Sequence, residues 1–303
     1  LKFHNMQNLT LTGGAVFKPY SINALVQKLG LDAFLTDNDI PEYYQPATVI
    51  KCLGSSGFAF VNITNLTLTN LTFENCGAPM NNTDNGEENS YVTVLVANIY
   101  HLVVEAISIT NSSGFGFVGV NLFESSVIRN SSFIANNLYS RGIEGGNAVF
   151  YYVTSADHFK EEHQLTFSTC LFSLGSGMAC RTAGTCASGG LTLFLTQEFY
   201  SVNVSILNTT SYRNYAISGA NFNFLVMVPS RIVLQNTQSI AGTSGTAGGG
   251  LMYTLASNDS ECILANRSAE LNIVAATFIN NTAANYGSAA YIEVRNSTSQ
   301  NCF

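Results

Sequence analysis

At 303 residues the chain is long enough for one large repeat domain or two ordinary globular ones. Charged residues make up only 10%, against roughly 25% in an ordinary soluble domain, and Asn, Ser, Thr and Gly fill their place; this suits strands joined by tight polar turns and suits helices badly. A net charge of −7 with no Lys/Arg cluster excludes a nucleic-acid backbone as partner, and no run reaches the roughly 18 apolar residues of a membrane span.

The chain opens at Leu1-Lys2-Phe3 directly inside a repeat, since His4 to Thr12 matches the later run up to Thr69 almost letter for letter. It stops as abruptly at Cys302-Phe303, so a segment of a longer protein is expected. Residues 15–46 interrupt the pattern. They hold the one predicted helix, capped at Ser21, running through Leu29 and stopped by Gly30. From 47 onward one phrase recurs: an alternating apolar run, an aromatic, an asparagine, then glycines. Its clearest copies are Leu71 to Gly77, Ser131 to Asn137 and Ala276 to Asn281, with register marks near 73, 110, 133, 172, 212, 240 and 278. The alternation puts one face inward and one outward, and repetition at steps of roughly 23 to 40 residues predicts a solenoid. Glycine-rich corners at Gly145-Gly146, Gly189-Gly190, Gly248-Gly249-Gly250 and Gly287 allow close stacking. Two exposed loops break the plan, 77–90 and the charged stretch 154–163. The fold expected is all-β: a single right-handed parallel β-helix over 1–303 with a short helical insertion near its N-terminus.

The Phe-x-x-Asn element followed by a Gly-Gly-Ala-like element resembles the passenger repeats of chlamydial polymorphic outer-membrane proteins. The stretch Val49 to Gly77, with Asn-Leu-Thr repeats before Phe-x-x-Cys-Gly, also resembles β-helix ectodomains of sponges and other simple animals. The resemblance spans most of 47–303 and implies the pectin-lyase-like fold, with adhesion and surface display as the associated roles. The chain departs from the bacterial family in lacking a β-barrel translocator and in its wealth of sequons.

Thirteen Asn-x-Ser/Thr sequons occur, at Asn8, Asn62, Asn65, Asn70, Asn81, Asn111, Asn130, Asn203, Asn208, Asn258, Asn266, Asn280 and Asn296. Chance placement of the same residues would give about six. Solenoid turns favour Asn and Thr for their own geometry, which explains part of the excess; the rest points to covalent N-glycans on a secreted or cell-surface protein. The seven cysteines agree. Cys52 and Cys76 lie about one coil apart, Cys180 and Cys186 bracket a small loop, and Cys262 and Cys302 follow Tyr253 and Tyr291 at similar offsets, suggesting three disulfides. Cys170, aligned with Cys76, is left as a buried free thiol.

Polysaccharide lyases and hydrolases on this fold need carboxylates paired across coils. The column after the aromatic mark offers Glu74 alone, Glu105 aligns with Thr69 and Glu124 with Asn65, so no pair forms. In the charged loop a helix would set Asp157 beside Glu161 and His158 beside Glu162, pairs where structural zinc takes four ligands, and the acidic loop with Asp84, Glu87 and Glu88 lacks EF-hand spacing. Catalytic residues, cofactors and metals are therefore expected to be absent. The function expected is that of a non-catalytic extracellular structural or adhesive glycoprotein, able to self-associate end to end into fibres. The alternatives are a polysaccharide-binding or polysaccharide-cleaving module, recognisable by an exposed aromatic row, and the ligand-binding ectodomain of a cell-surface receptor.

Overall fold

A computed structural model describes residues 1–20, 43–52, 57–80, 90–137, 146–152, 162–177, 188–196, 201–228, 230–256 and 269–295. Among these there is no helix. A 20-stranded, strongly curled sheet dominates, accompanied by a four-stranded and a two-stranded sheet. Pairing in the large sheet is parallel except where Ala78–Met80 runs antiparallel to 90–92. Each segment bonds to the equivalent segment one repeat later: Leu66 faces Leu102, Val204 faces Ile232, and Ile232 faces Leu271. The result is a solenoid-like stack. Numbered in chain order, the eight coils begin at Lys2, Phe58, Ser90, Phe115, Gly146, Leu191, Phe222 and Leu251. Every full coil contributes a first, second and third strand segment, in coil 6 Leu191–Leu195, Ser201–Leu207 and Thr210–Tyr212, and coils 5 to 8 add a two-residue fourth, at Ser176–Gly177, Tyr215–Ala216, Thr243–Ser244 and Thr282–Ala283.

Among the described residues, many of the corners between strands are turned by a single residue in the left-handed region. On the ridge between the first and second strands these are Asn5, Asn62, Asn98 and Asn121. On the next ridge they are Asn70, Ala106, Asn130, Thr169, Asn208, Asn236 and Ala275, and on the third Asn75, Asn111, Ala135, Leu174, Arg213, Ala241 and Asn280. Asparagine adopts this conformation more readily than any other non-glycine residue, so its abundance here follows from the backbone.

Inside the coils, alternate residues form apolar columns. Phe73, Ile109, Phe133 and Phe172 continue one another, with the rings of Phe133 and Phe172 stacked at 5.1 Å. Each such side chain contributes about 1.5–3 kcal/mol on burial. The first strands are apolar on both faces. Phe117 and Phe150 point inward, while Val118, Val149, Phe194 and Leu225 form a second buried cluster on the outside. That accounts for the near-continuous apolar spelling of these segments. A third interior column is polar: Asn136, Asn147, Asn214, Asn221 and Asn281 pass one amide hydrogen bond from coil to coil, at 2.8, 3.0, 2.8 and 3.1 Å in turn.

Several sequence expectations change. The predicted helix at 21–29 lies outside the described residues; what flanks it is an antiparallel pair, Phe17–Tyr20 with Tyr43–Pro46. The aromatic marks near 110, 212 and 240 shift by one, to Ile109, Ser211 and Ser239. A one-residue slip exchanges inside for outside. Thus Tyr212, in register with Ser173 and Ile240, belongs to the neighbouring column. The loop expected at 154–163 ends earlier, because Glu162 and His163 belong to the strand Glu162–Ser168, with His163 buried. Of the loop 77–90, residues 78–80 and 90 are strand and 81–89 lie outside the described residues. The charged side chains expected to be exposed there, and those at 154–161, are likewise outside.

Candidate functional site

The second strands present the long open face of the molecule. Their outward residues stand in columns: Asn8, Asn65, His101, Ser125, Gln164 and Asn203 succeed one another in register. By contrast, outward positions of the first and third strands in coils 3 to 5 are closed, with Val149, Ser108 and Ser132 fully buried. Ser108 and Ser132 join their hydroxyls at 2.9 Å.

Several charged and polar groups on this open face meet between rungs. Glu105 meets Arg129 at 2.8 Å, His101 meets Glu124 at 2.9 Å and Arg231 meets Glu270 at 3.4 Å. Asn203 donates to Glu162 at 2.5 Å, and on the third strand Lys51 pairs with Glu74 at 3.3 Å. Such exposed pairs are each worth under about 1 kcal/mol. Their consequence is chemical: no two of the described carboxylates occupy one outward column in adjacent coils, so acid and base for glycoside cleavage are not assembled among them. Glu124 was expected beside Asn65. Instead His101 faces Asn65 and then Ser125, while Glu124 sits at an irregularity in the register with φ of 48° and reaches back to the imidazole. The resulting row of Ser125, His101 and Glu124 has imidazole and carboxylate about half exposed. The backbone N–H of Glu124 itself donates to His163 Nδ1 at 3.2 Å. No group of three metal-ligating side chains forms among the described residues.

Sequence reading placed the thiols correctly in part. Cys52 and Cys76 form a disulfide joining adjacent coils, with Cα atoms 4.8 Å apart. Cys180, Cys186, Cys262 and Cys302 lie outside the described residues. The tyrosines used to align the last two are not equivalent, since Tyr253 faces Ile292 and Tyr291 faces Met252. Cys170 is a buried free thiol. Its column is that of Ser131 and Leu71 rather than Cys76, whose place in later coils is taken by the interior asparagines. Burial pushes the Cys170 thiol up to about 12, against a lesser opposing pull from backbone hydrogen bonds.

Nine sequon asparagines are described and none is buried: Asn8, Asn62, Asn65, Asn130, Asn208 and Asn280 are exposed, and Asn70, Asn111 and Asn203 half-buried. Asn81, Asn258, Asn266 and Asn296 lie outside the described residues. Six of the nine, Asn62, Asn70, Asn111, Asn130, Asn208 and Asn280, turn a corner in the left-handed conformation.

The interior asparagine column was not anticipated, although its signal is present. In coils 4 to 8, one of two positions is Asn and the other Gly: Gly116 with Asn136, Asn147 with Gly175, Gly190 with Asn214, Asn221 with Gly242, Gly250 with Asn281. A Cβ at Gly175 or Gly242 would come within 2.6 or 2.7 Å of the amide nitrogen of Asn147 or Asn221. The glycine is the space the asparagine occupies.

No protein-family model, no curated protein and no solved structure matches the chain. No described helix is long and apolar enough to cross a membrane.

Proposed function

We propose that the chain forms a right-handed parallel β-helix serving as a non-catalytic, extracellular structural or adhesive glycoprotein. The observation that carries this reading is the open face itself: a column of outward side chains running coil after coil, with several of its charged groups partnered between rungs. Such a surface suits extended contact rather than turnover at one point. The Cys52–Cys76 disulfide ties neighbouring coils and favours an oxidising compartment. End-to-end association belongs to the same proposal, because the edge strands of a parallel stack can pair with a further coil.

A polysaccharide-binding module is less well supported. Tyr215 and Tyr286 are exposed but stand in different columns, one in register with Thr243 and the other with Ala247. The deciding experiment is intact mass before and after enzymatic removal of N-glycans, followed by electron microscopy of the same native material. Glycosylated filaments are expected. An unglycosylated, monodisperse particle that cleaves acidic polysaccharides overturns the proposal.

A further inference from the structure

Twelve of the described asparagines have a positive φ, and only half of them begin a sequon. The share differs by ridge: one of four on the first, three of four on the second and, on the third, Asn111 and Asn280 but not Asn75. On the first ridge only Asn62 of Asn5, Asn62, Asn98 and Asn121 is a sequon. There the amides bond to one another along the edge, Asn62 to Asn5 at 3.1 Å and Asn98 to Asn62 at 3.0 Å. On the second ridge the sequons are Asn70, Asn130 and Asn208. Strand pairing puts these in coils 2, 4 and 6. Ala106 and Thr169 stand between them, and Asn236, one rung beyond Asn208, is followed by Thr237-Gln238 and is not a sequon.

We infer that the second ridge is the glycan-bearing edge of the molecule, with N-linked oligosaccharides on Asn70, Asn130 and Asn208, one coil in two. The inference rests on the secretory reading above. Adjacent rungs are about 4.8 Å apart. Hydrated sugar rings on successive rungs would collide, whereas alternate rungs leave about 9.6 Å. The ridge also borders the open outer face, so the sugars project where the molecule is not closed; Asn130 and Asn208 are exposed. No described sequon asparagine lies on the closed outer faces of the first and third strands. The same spacing argument forbids sugars on both Asn8 and Asn65, which are adjacent in register and joined by a 2.7 Å amide hydrogen bond.

In the transfer, asparagine Nδ2 bonds to the anomeric carbon of an oligosaccharide carried on a lipid pyrophosphate. The anomeric C–O bond breaks, the lipid pyrophosphate leaves, and the amide proton passes to a base of the transferring enzyme.

The test is secretion of the full chain from eukaryotic cells, with site occupancy read by glycopeptide mass spectrometry after enzymatic release in heavy-oxygen water. Asn70, Asn130 and Asn208 should be labelled on the same molecules. Gln238→Thr completes a sequon at Asn236, one rung from Asn208. Secreted molecules of this variant should carry sugar at one of the two sites but not both, and total yield should fall. Adding Asn208→Gln should restore the yield with Asn236 occupied. Full-yield secretion with both sites filled overturns the spacing argument. Sugars confined to other sequons overturn the inference and leave the secretory reading standing; secreted protein with no sugar overturns both.

Discussion

Replacing Asn214 by alanine tests whether the polar column inside the coils holds them together. Asn214 is 1% exposed, and its side chain serves three coils at once. The two N–H groups of its Nδ2 are shared among the Phe172 carbonyl at 3.0 Å, Ser211 Oγ at 2.9 Å and Asn221 Oδ1 at 2.8 Å. Its Oδ1 accepts from Asn147 Nδ2 at 3.0 Å and from the backbone N–H of Gly175 at 2.9 Å. Alanine leaves two buried groups without these partners, Gly175 N–H and Asn221 Oδ1. At about 1–3 kcal/mol for each unsatisfied group, the loss is about 4 kcal/mol. Asn236→Ala is the control. It removes one exposed amide bond of 3.2 Å and the left-handed preference of asparagine, for about 1 kcal/mol. Because stability in a stacked fold is summed from neighbouring coils, the damage should be local. Amide hydrogen exchange should show protection at Gly175 falling by roughly a thousandfold, the equivalent of about 4 kcal/mol, with little change near Leu66 and Leu102. Equal, sub-kilocalorie effects of the two substitutions would refute the reasoning.

Other expectations follow from single features. Thr169 is an exposed β-branched residue held at φ of 54°, so Thr169→Asn should stabilise the protein by about 1 kcal/mol in urea unfolding. Reducing the Cys52–Cys76 bond, whose residues are 24 apart in sequence, should cost about 3 kcal/mol, seen as faster proteolysis within 1–52 and unchanged resistance around 201–240. Cys170 is neutral in the folded chain up to about pH 12 but ionises earlier when unfolded, and burial likewise raises Tyr152 and Tyr253. The unfolded state thus holds fewer protons at alkaline pH, so stability should fall as pH rises above about 9. Cys170→Ala should flatten the first part of that fall in calorimetric scans, and the native thiol should resist alkylation at pH 9.

The stack itself was legible because its signals are local. Alternation in Leu66 to Phe73, the Phe-x-x-Asn phrase and the spacing of Cys52 and Cys76 each report a constraint that one coil imposes on the next. The errors arose where the repeat mark is not aromatic. At Ser211 and Ser239 the inward position is filled by serine, one hydroxyl bonding to the Asn221 carbonyl and the other accepting from Asn221 Nδ2, and the nearby Tyr212 and Ile240 drew the alignment one residue on. That single step also misassigned the column used to look for paired carboxylates. Glu124 was misplaced for a related reason: an irregularity in the pairing inserts a residue that no periodicity records.

The interior asparagines separate what the fold demands from what the sequence adds. A buried amide that passes its hydrogen bond to the next coil needs asparagine and an opposing glycine, and nothing further along the chain. A corner needs a left-handed residue, for which Asn236 and Thr169 both serve. Neither requirement asks for a hydroxyl two residues later. On the second ridge two such hydroxyls have structural partners, Thr72 donating to the Pro46 carbonyl at 2.8 Å and Ser132 bonded to Ser108. Thr210, after Asn208, is half-buried and has no such bond among the described residues. Asn208 is therefore the ridge position where the sequon is least explained by folding. Thr210→Val, which preserves the β-branched shape of that strand position, should leave stability within about 0.5 kcal/mol while abolishing sugar at Asn208. Loss of stability instead, with glycan mass unchanged, would return this sequon to the account of the backbone.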